Sequence, residues 1–247
     1  RHLAGPSDFE SVLVGRTFAE PRRRGKFLWL PLDGGDAIVA HLGMSGQFRS
    51  DLPDAPLQPN TRVLWDLDDG RQLRFIDQRM FGGVWLSPGG ADLPPEVAHI
   101  ALDPFDPRFD PVAVARRIVR RHAGIKRLIL DQTLVSGIGN IYADESLWRA
   151  RLHYDTPSSE VTVRKVAGLL RHAHDVMADS LIQGGTSFDR LYVDVNGESG
   201  YHERSLDVYG REGLPCRRCG RLVVREAFAN RSSYRCPSCQ KPPARLR

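Results

Sequence analysis

The residues best suited to chemistry lie near the C-terminus, where Cys216 and Cys219 form one C-x2-C pair and Cys236 and Cys239 form a second, sixteen residues further on. Each pair turns tightly enough to aim two thiolates at one ion, and two pairs at this separation match a closed, structural Zn2+ site with four sulfur ligands. These are the only cysteines in the sequence. Cysteines confined to a metal pattern argue against a secreted disulfide framework and for a cytosolic setting. Between the pairs, Leu222-Val223-Val224 and Tyr234-Arg235 read as short strands, with Asn230-Arg231-Ser232-Ser233 where a hairpin would turn. Arg231 is therefore expected at or near the tip of a metal-stapled pointer.

Charge points the same way. The chain carries +5 overall with pI about 9.2, but residues 204–247 hold eleven basic groups against Asp207, Glu212 and Glu226. A basic finger of this kind faces nucleic acid, because neutralising phosphates releases counterions; a solvated basic tail is the bland alternative. Lysines are scarce: Lys26, Lys126, Lys165 and Lys241 stand among thirty-one arginines. Only a lysine amine can trade a proton, which singles out Lys26 at the end of Arg22-Arg23-Arg24-Gly25-Lys26.

Three further stretches have unusual content. Met44 lies between glycines in His41-Leu42-Gly43-Met44-Ser45-Gly46-Gln47, and Arg79 and Phe81 lie in Asp77-Gln78-Arg79-Met80-Phe81-Gly82-Gly83. Apolar loop residues beside glycines fill a core poorly, and on a DNA-binding protein they could serve as wedges between base steps. In Ser136-Gly137-Ile138-Gly139-Asn140 the glycines allow a sharp turn with backbone close to a ligand. Asn140 is expected to cap the helix that follows, whose free amides suit a phosphate. Residues 192–201 are polar and glycine-punctuated, either a lid over a bound group or a plain link to the finger.

The elements that must position these residues fall into an α+β arrangement. Runs at Phe27–Leu30, Ala37–His41, Val63–Leu67, Gln72–Phe75 and Val84–Leu86, with a turn at Asp68-Asp69-Gly70, predict a β-sandwich or flattened barrel over residues 1–87. A proline-rich linker occupies 88–111. Asp110-Pro111 starts a helix whose pattern continues to Asp131, with Arg116, Arg117, Arg120 and Arg121 opposite its apolar stripe. A second helix places Val166, Leu169, Leu170, Ala173, Met177 and Leu181 on one stripe and stops at Gly184-Gly185. The helical domain is expected over 112–206 and the finger over 207–241. No run of about 18 apolar residues is present, so no membrane span is expected, nor does the opening read as a signal peptide.

Together, the Met44 and Phe81 loops, the Ser136–Glu145 stretch, Asn196-Gly197-Glu198-Ser199-Gly200-Tyr201 and the finger resemble the bacterial formamidopyrimidine-DNA glycosylases, in particular the actinobacterial ones, along essentially the whole chain. The resemblance implies a β-sandwich, a helix-two-turns-helix domain and a zinc finger in a monomeric cytoplasmic enzyme associated with the nucleoid. The implied partner is double-stranded DNA containing oxidised purines such as 8-oxoguanine and formamidopyrimidines. The implied activity is base excision followed by strand cleavage through β,δ-elimination. Such a base must leave the stack before C1′ can be reached. The resemblance implies that Met44, Arg79 and Phe81 fill the vacated space, Phe81 intercalating and Arg79 addressing the orphaned cytosine. It assigns phosphate contacts to Lys26, Asn140 and Arg231, with Arg121 and Lys126 as weaker candidates, and proton handling to Lys26 and Arg231. Val193, Asn196, Glu198, Ser199 and Tyr201 belong to the loop expected to close over the everted base. The related endonuclease VIII branch lacks the wedge trio.

One feature departs from the pattern. The family's nucleophile is an N-terminal proline followed by glutamate, an α-amino group whose pKa near ~8 leaves part of it unprotonated at neutral pH. This sequence opens Arg1-His2-Leu3. The expectation is of an N-terminally truncated chain lacking the first helix and strands of its β domain, with an exposed strand edge and little or no glycosylase activity of its own. A non-catalytic damaged-DNA-binding protein is the alternative, and a general zinc-ribbon adaptor a third reading.

Overall fold

A computed structural model describes residues 6–185 and 205–244. The described residues group into two compact units, one up to His99 and the other from Ile100 to Gln183 together with the segment after residue 204.

The first unit is β-rich. After helix α1 (Pro6–Leu13) come β1 (Arg22–Arg24), β2 (Phe27–Pro31), β3 (Ala37–His41), β4 (Gly46–Asp51), β5 (Thr61–Asp66), β6 (Gln72–Asp77) and β7 (Gly83–Ser87). They form a four-stranded sheet ordered β1-β2-β3-β7 and a three-stranded sheet ordered β4-β6-β5, with antiparallel pairing throughout. The residues explain the layering. Strand β5 alternates, exposing Arg62, Leu64 and Asp66 while Trp65 is buried, as a half-covered strand should. Ala37, Ile38, Val39 and Ala40 of β3 are all buried, because this strand is covered on both faces. Phe9 of α1 joins Leu30, Ile38, Trp65, Phe75 and Val84 in one cluster. The five predicted strand runs correspond to β2, β3, β5, β6 and β7; β1 and β4 carried no apolar run by which to find them.

The second unit contains α2 (Pro111–Val119), α3 (Ile125–Ile129), α4 (Asn140–Arg149) and α5 (Val163–Ile182), then the hairpin β8 (Val224–Phe228) and β9 (Arg231–Arg235). Asp110 caps α2, its Oδ1 accepting from the amides of Val112 at 2.8 Å and Ala113 at 3.1 Å. Ala115 and Ile118 are buried while Arg116, Arg117, Arg120 and Arg121 lie outside the core, as the stripe required.

The helix does not run on to Asp131. It ends at Val119, and Gly124, extended at φ −60° and ψ 137°, bridges to Pro157 before α3 begins. The break lets Ile118, Ile125, Ile129, Leu134, Ile138, Leu147, Leu169 and Leu170 converge in one core, where each buried Leu or Ile contributes about 1.5–3 kcal/mol. On α5 the predicted stripe is buried as far as Met177, but Leu181 is exposed, lying in the helix's last turn. Among the described residues no helix is long and apolar enough to cross a membrane.

Candidate nucleic-acid interface

In the first unit the candidate residues collect at one end of the two sheets, and strand register puts them there. Arg24 pairs with Phe27 across the two-residue turn Gly25-Lys26. Gly25 has φ +58° and Lys26 does not share that sign, the pattern of a type II′ hairpin turn. Lys26 is therefore presented, exposed, at a hairpin tip. Phe27 in turn pairs with His41, His41 with Gly83, and Gly46 with Asp77 in the other sheet. The loop after His41 and the loop before Gly83 thus lie at the same end as Lys26. Burial, reinforced by the Lys26 charge, lowers the pKa of His41, so its ring is neutral near pH 7 and accepts from the Gly43 amide at 3.1 Å.

These two loops hold their apolar side chains in water. Met44 is 65% exposed and Phe81 61%, and the Arg79 guanidinium stands 5.6 Å from the Phe81 ring centroid. The loops are clamped from beneath by Asp77, which is 1% exposed. One Asp77 oxygen accepts from the Ser45 hydroxyl at 2.6 Å and the other from the Gly82 amide at 2.7 Å. Ser45 Oγ itself accepts from the Arg79 amide at 3.0 Å. Gly43, at φ +62°, backs so closely onto the second loop that a Cβ there would lie 2.5 Å from the Phe81 carbonyl carbon. Large apolar groups are thus held out on a hydrogen-bonded base.

In the second unit the turn before α4 differs from expectation. Gly139, at φ −106° and ψ −178°, occupies the cap position, so Asn140 is the first helical residue and not the cap. Its side-chain amide donates to the backbone carbonyl of Ser232 on β9 at 3.0 Å. Arg231, the neighbour of Ser232, is exposed at the start of β9 and follows the tight turn Ala229-Asn230. Arg121 is exposed just past the end of α2.

Lys126 is not a surface phosphate contact. It is 0% exposed, its ammonium lies 2.7 Å from Asp144, and it donates to Ser232 O at 3.3 Å. Its place on the inner side of the short helix α3, beneath the Phe228 ring at 4.6 Å, is what removes it from solvent. Burial lowers the Lys126 pKa and raises that of Asp144; their mutual attraction works against both shifts. Asp144 also accepts from Ser233 Oγ at 2.8 Å and the Tyr234 amide at 2.9 Å. Glu145, whose pKa burial likewise raises, accepts from the amides of Asp207, Val208 and Tyr209 at 2.8–2.9 Å.

The four cysteine sulfurs lie within 4.8 Å of one another, with Cys219 Sγ 3.4 Å from Cys236 Sγ and 3.6 Å from Cys239 Sγ. Four thiolates around Zn2+ at about 2.3 Å stand about 3.8 Å apart, so the set fits one tetrahedral ion. Trp148 Nε1 donates to Cys216 Sγ at 3.3 Å, and the Cys239 amide donates to Cys236 Sγ at 3.4 Å, the supporting bonds a thiolate site uses. Four protein ligands close the shell, so the ion is structural and has no position for substrate.

The functional residues that sequence reasoning missed are the supports: Ser45, Asp77, Asp144, Glu145, Ser232 and Ser233. Their one signal was placement, since each lies inside or next to a stretch already singled out. Val193, Asn196, Glu198, Ser199 and Tyr201 lie outside the described residues.

Comparison with known proteins finds three successive matches along the chain. The formamidopyrimidine-DNA glycosylase N-terminal domain matches residues 1–84, the formamidopyrimidine-DNA glycosylase H2TH domain residues 100–190, and the zinc finger found in FPG and IleRS residues 213–242. Phe9 of α1 packs in the core of the domain matched over residues 1–84. A formamidopyrimidine-DNA glycosylase of Nocardioides sp. is 59% identical over 250 residues, covering 100% of this chain and 85% of that protein. The crystal structure of MutM (Fpg) from Thermus thermophilus superposes with TM-score 0.82 at 35% identity, over 94% of this chain and 86% of that one. The complex of Lactococcus lactis Fpg with DNA containing an abasic site superposes with TM-score 0.86 at 28% identity, over 98% and 88%.

Proposed function

The chain belongs to the formamidopyrimidine-DNA glycosylase family, and from that premise we propose that, in a form that carries the family's N-terminal proline, it excises oxidised purines, 8-oxoguanine and formamidopyrimidines, from double-stranded DNA and then cleaves the strand as an AP lyase. The observation that carries this reading is the wedge: Met44, Arg79 and Phe81 held out from loops that Asp77 and Gly43 make rigid. Reaching C1′ requires the damaged nucleotide to leave the stack, and an inserted aromatic ring supplies what the stack loses. Phe81 intercalates, and Arg79 addresses the base left without a partner.

The chemistry then needs an amine at C1′. Its attack at C1′ displaces the base; the C1′–O4′ bond then opens, O4′ taking a proton, and leaves an iminium; loss of the C2′ proton expels the 3′ phosphate, and loss of the C4′ proton in the second elimination expels the 5′ phosphate. The attacking amine is the N-terminal proline that the resemblance implies, a residue the sequence opening at Arg1 does not include. Lys26 is the better proton carrier of the two candidates, because the Arg231 guanidinium is a poor acid at neutral pH and suits a phosphate. Asn140 and Arg121 bind phosphates with it. Reductive trapping tests the reading. Borohydride is expected to join a form of the protein that carries this N-terminal proline covalently to a duplex carrying 8-oxoguanine opposite cytosine. A protein with a verified N-terminal proline that cannot be trapped would sink it.

Two substitutions separate the roles. Arg231→Ala is expected to weaken duplex binding and to reduce the slope of log K against log salt by about 0.9, the value of one phosphate contact. Phe81→Ala is expected to leave that slope unchanged but to slow excision by about 10–100-fold, since unstacking a base step costs a few kcal/mol and about 1.4 kcal/mol is tenfold in rate. Equal salt slopes for Arg231→Ala and the parent, or unimpaired excision by Phe81→Ala, would refute the respective role.

A further inference from the structure

We infer that Asp144 is a positioning residue that fixes Arg231 of the finger relative to Asn140 of α4, so that the two phosphate grips act as one unit. This rests on the phosphate-binding reading of Asn140 and Arg231. Asn140, Asp144 and Trp148 recur every four residues along α4, which stacks them on one face of the helix, and each reaches the C-terminal segment. Asn140 donates to Ser232 O at 3.0 Å, Asp144 accepts from Ser233 Oγ and the Tyr234 amide at 2.8 and 2.9 Å, and Trp148 donates to Cys216 Sγ at 3.3 Å. The Ser232 carbonyl is also held by Lys126 at 3.3 Å. Three consecutive finger residues, Ser232 to Tyr234, are thereby pinned to the helical body, and Arg231 leaves the backbone one residue before the first pin.

The chemistry of the site calls for a carboxylate. Lys126 and Ser233 both present donors to Asp144 Oδ1 while the Tyr234 amide presents one to Oδ2. An asparagine there would turn its own NH2 group toward at least one of these donors. A buried ion pair is a weak source of stability, since well-packed apolar residues often serve as well, whereas its directional bonds can fix a register. The pair sits at the junction of α3, α4 and β9, where an error in register would move Arg231 relative to Asn140.

The test is a double-mutant cycle read by binding to a duplex carrying an abasic site, measured across salt. Arg231→Ala in the parent is expected to weaken binding about tenfold and to lower the salt slope by about 0.9. Ser233→Ala, which spares the ion pair, is expected to weaken binding several-fold with zinc content unchanged. Adding Arg231→Ala to Ser233→Ala, or to Asp144→Asn, is then expected to cost less than about twofold more, because coupled neighbours are not additive. If Arg231→Ala costs the same in the parent and in the Ser233→Ala background, Asp144 only stabilises the fold and the inference is wrong. Should Asp144→Asn fail to fold, the Ser233→Ala cycle decides alone. If Arg231→Ala changes neither affinity nor slope in the parent, the phosphate reading itself falls, and this inference with it.

Discussion

Removing Zn2+ with a chelator, or replacing Cys236 by serine, is expected to lower duplex affinity about 100-fold or more, toward the non-specific range of about 10⁻⁴–10⁻⁶ M. The finger's apolar cluster is Val208, Cys216, Val223 and Cys236 together with Trp148 of α4, and two of these are metal ligands. A core of that size does not hold a hairpin without a staple, and structural Zn2+ contributes about 10–16 kcal/mol of apparent binding energy that is at the same time folding energy. With the metal gone, β9 loses its register and Ser232 no longer meets Asn140 and Lys126. Arg231 is then displaced and Asn140 loses its partner, so both grips fail together. Anisotropy with a labelled duplex, alongside measured zinc content, decides the matter. Unchanged affinity after verified loss of metal would contradict it.

Gly43→Ala is expected to lower single-turnover excision about 100-fold or more while sparing affinity for undamaged duplex to within about threefold. Two costs combine. An alanine at φ +62° is strained by about 1–2 kcal/mol, and its Cβ would stand 2.5 Å from the Phe81 carbonyl carbon and 2.6 Å from Gly82 N. Backbone cannot yield as a side-chain end can, so the Met44 and Phe81 loops must separate. That breaks the Asp77 clamp and frees the wedge, and a misplacement of about 1 Å at a reacting site can cost about 10²-fold. Gly70→Ala is the control: it has φ +78° in the same unit, with nothing within 4 Å of a Cβ, so it carries the backbone strain without the collision. Excision by Gly43→Ala within about threefold of Gly70→Ala would show that close approach of the two loops is not what shapes the wedge.

Both expectations combine something legible in the chain with something that was not. The cysteine spacing specified a four-thiolate zinc site because ligand geometry is local: a C-x2-C turn aims two sulfurs whatever surrounds it. The alternating and helical patterns located five strands of the first unit and the apolar faces of α2 and α5, since burial on one face leaves a period in the sequence. The glycine-flanked loops with Met44, Arg79 and Phe81 were conspicuous because apolar residues there have no core to fill.

The supports could not be read in the same way. Arg74, within the predicted strand run Gln72–Phe75, is fully buried and donates to the carbonyls of Leu52, Ala55 and Pro56. Lys126 reads as a surface cation in a basic stretch, yet it is closed inside the second unit against Asp144, eighteen positions along the chain. Asp77 meets Ser45 only because Gly46 pairs with Asp77 across β4 and β6. Sequence by itself determined the metal site, the basic finger, the two glycine-flanked loops and the α+β order, all of which follow from local spacing and periodicity. Only the tertiary structure decided which charges face solvent and which hold the others in place, because a side chain's role is set by partners brought together by strand register and helix packing.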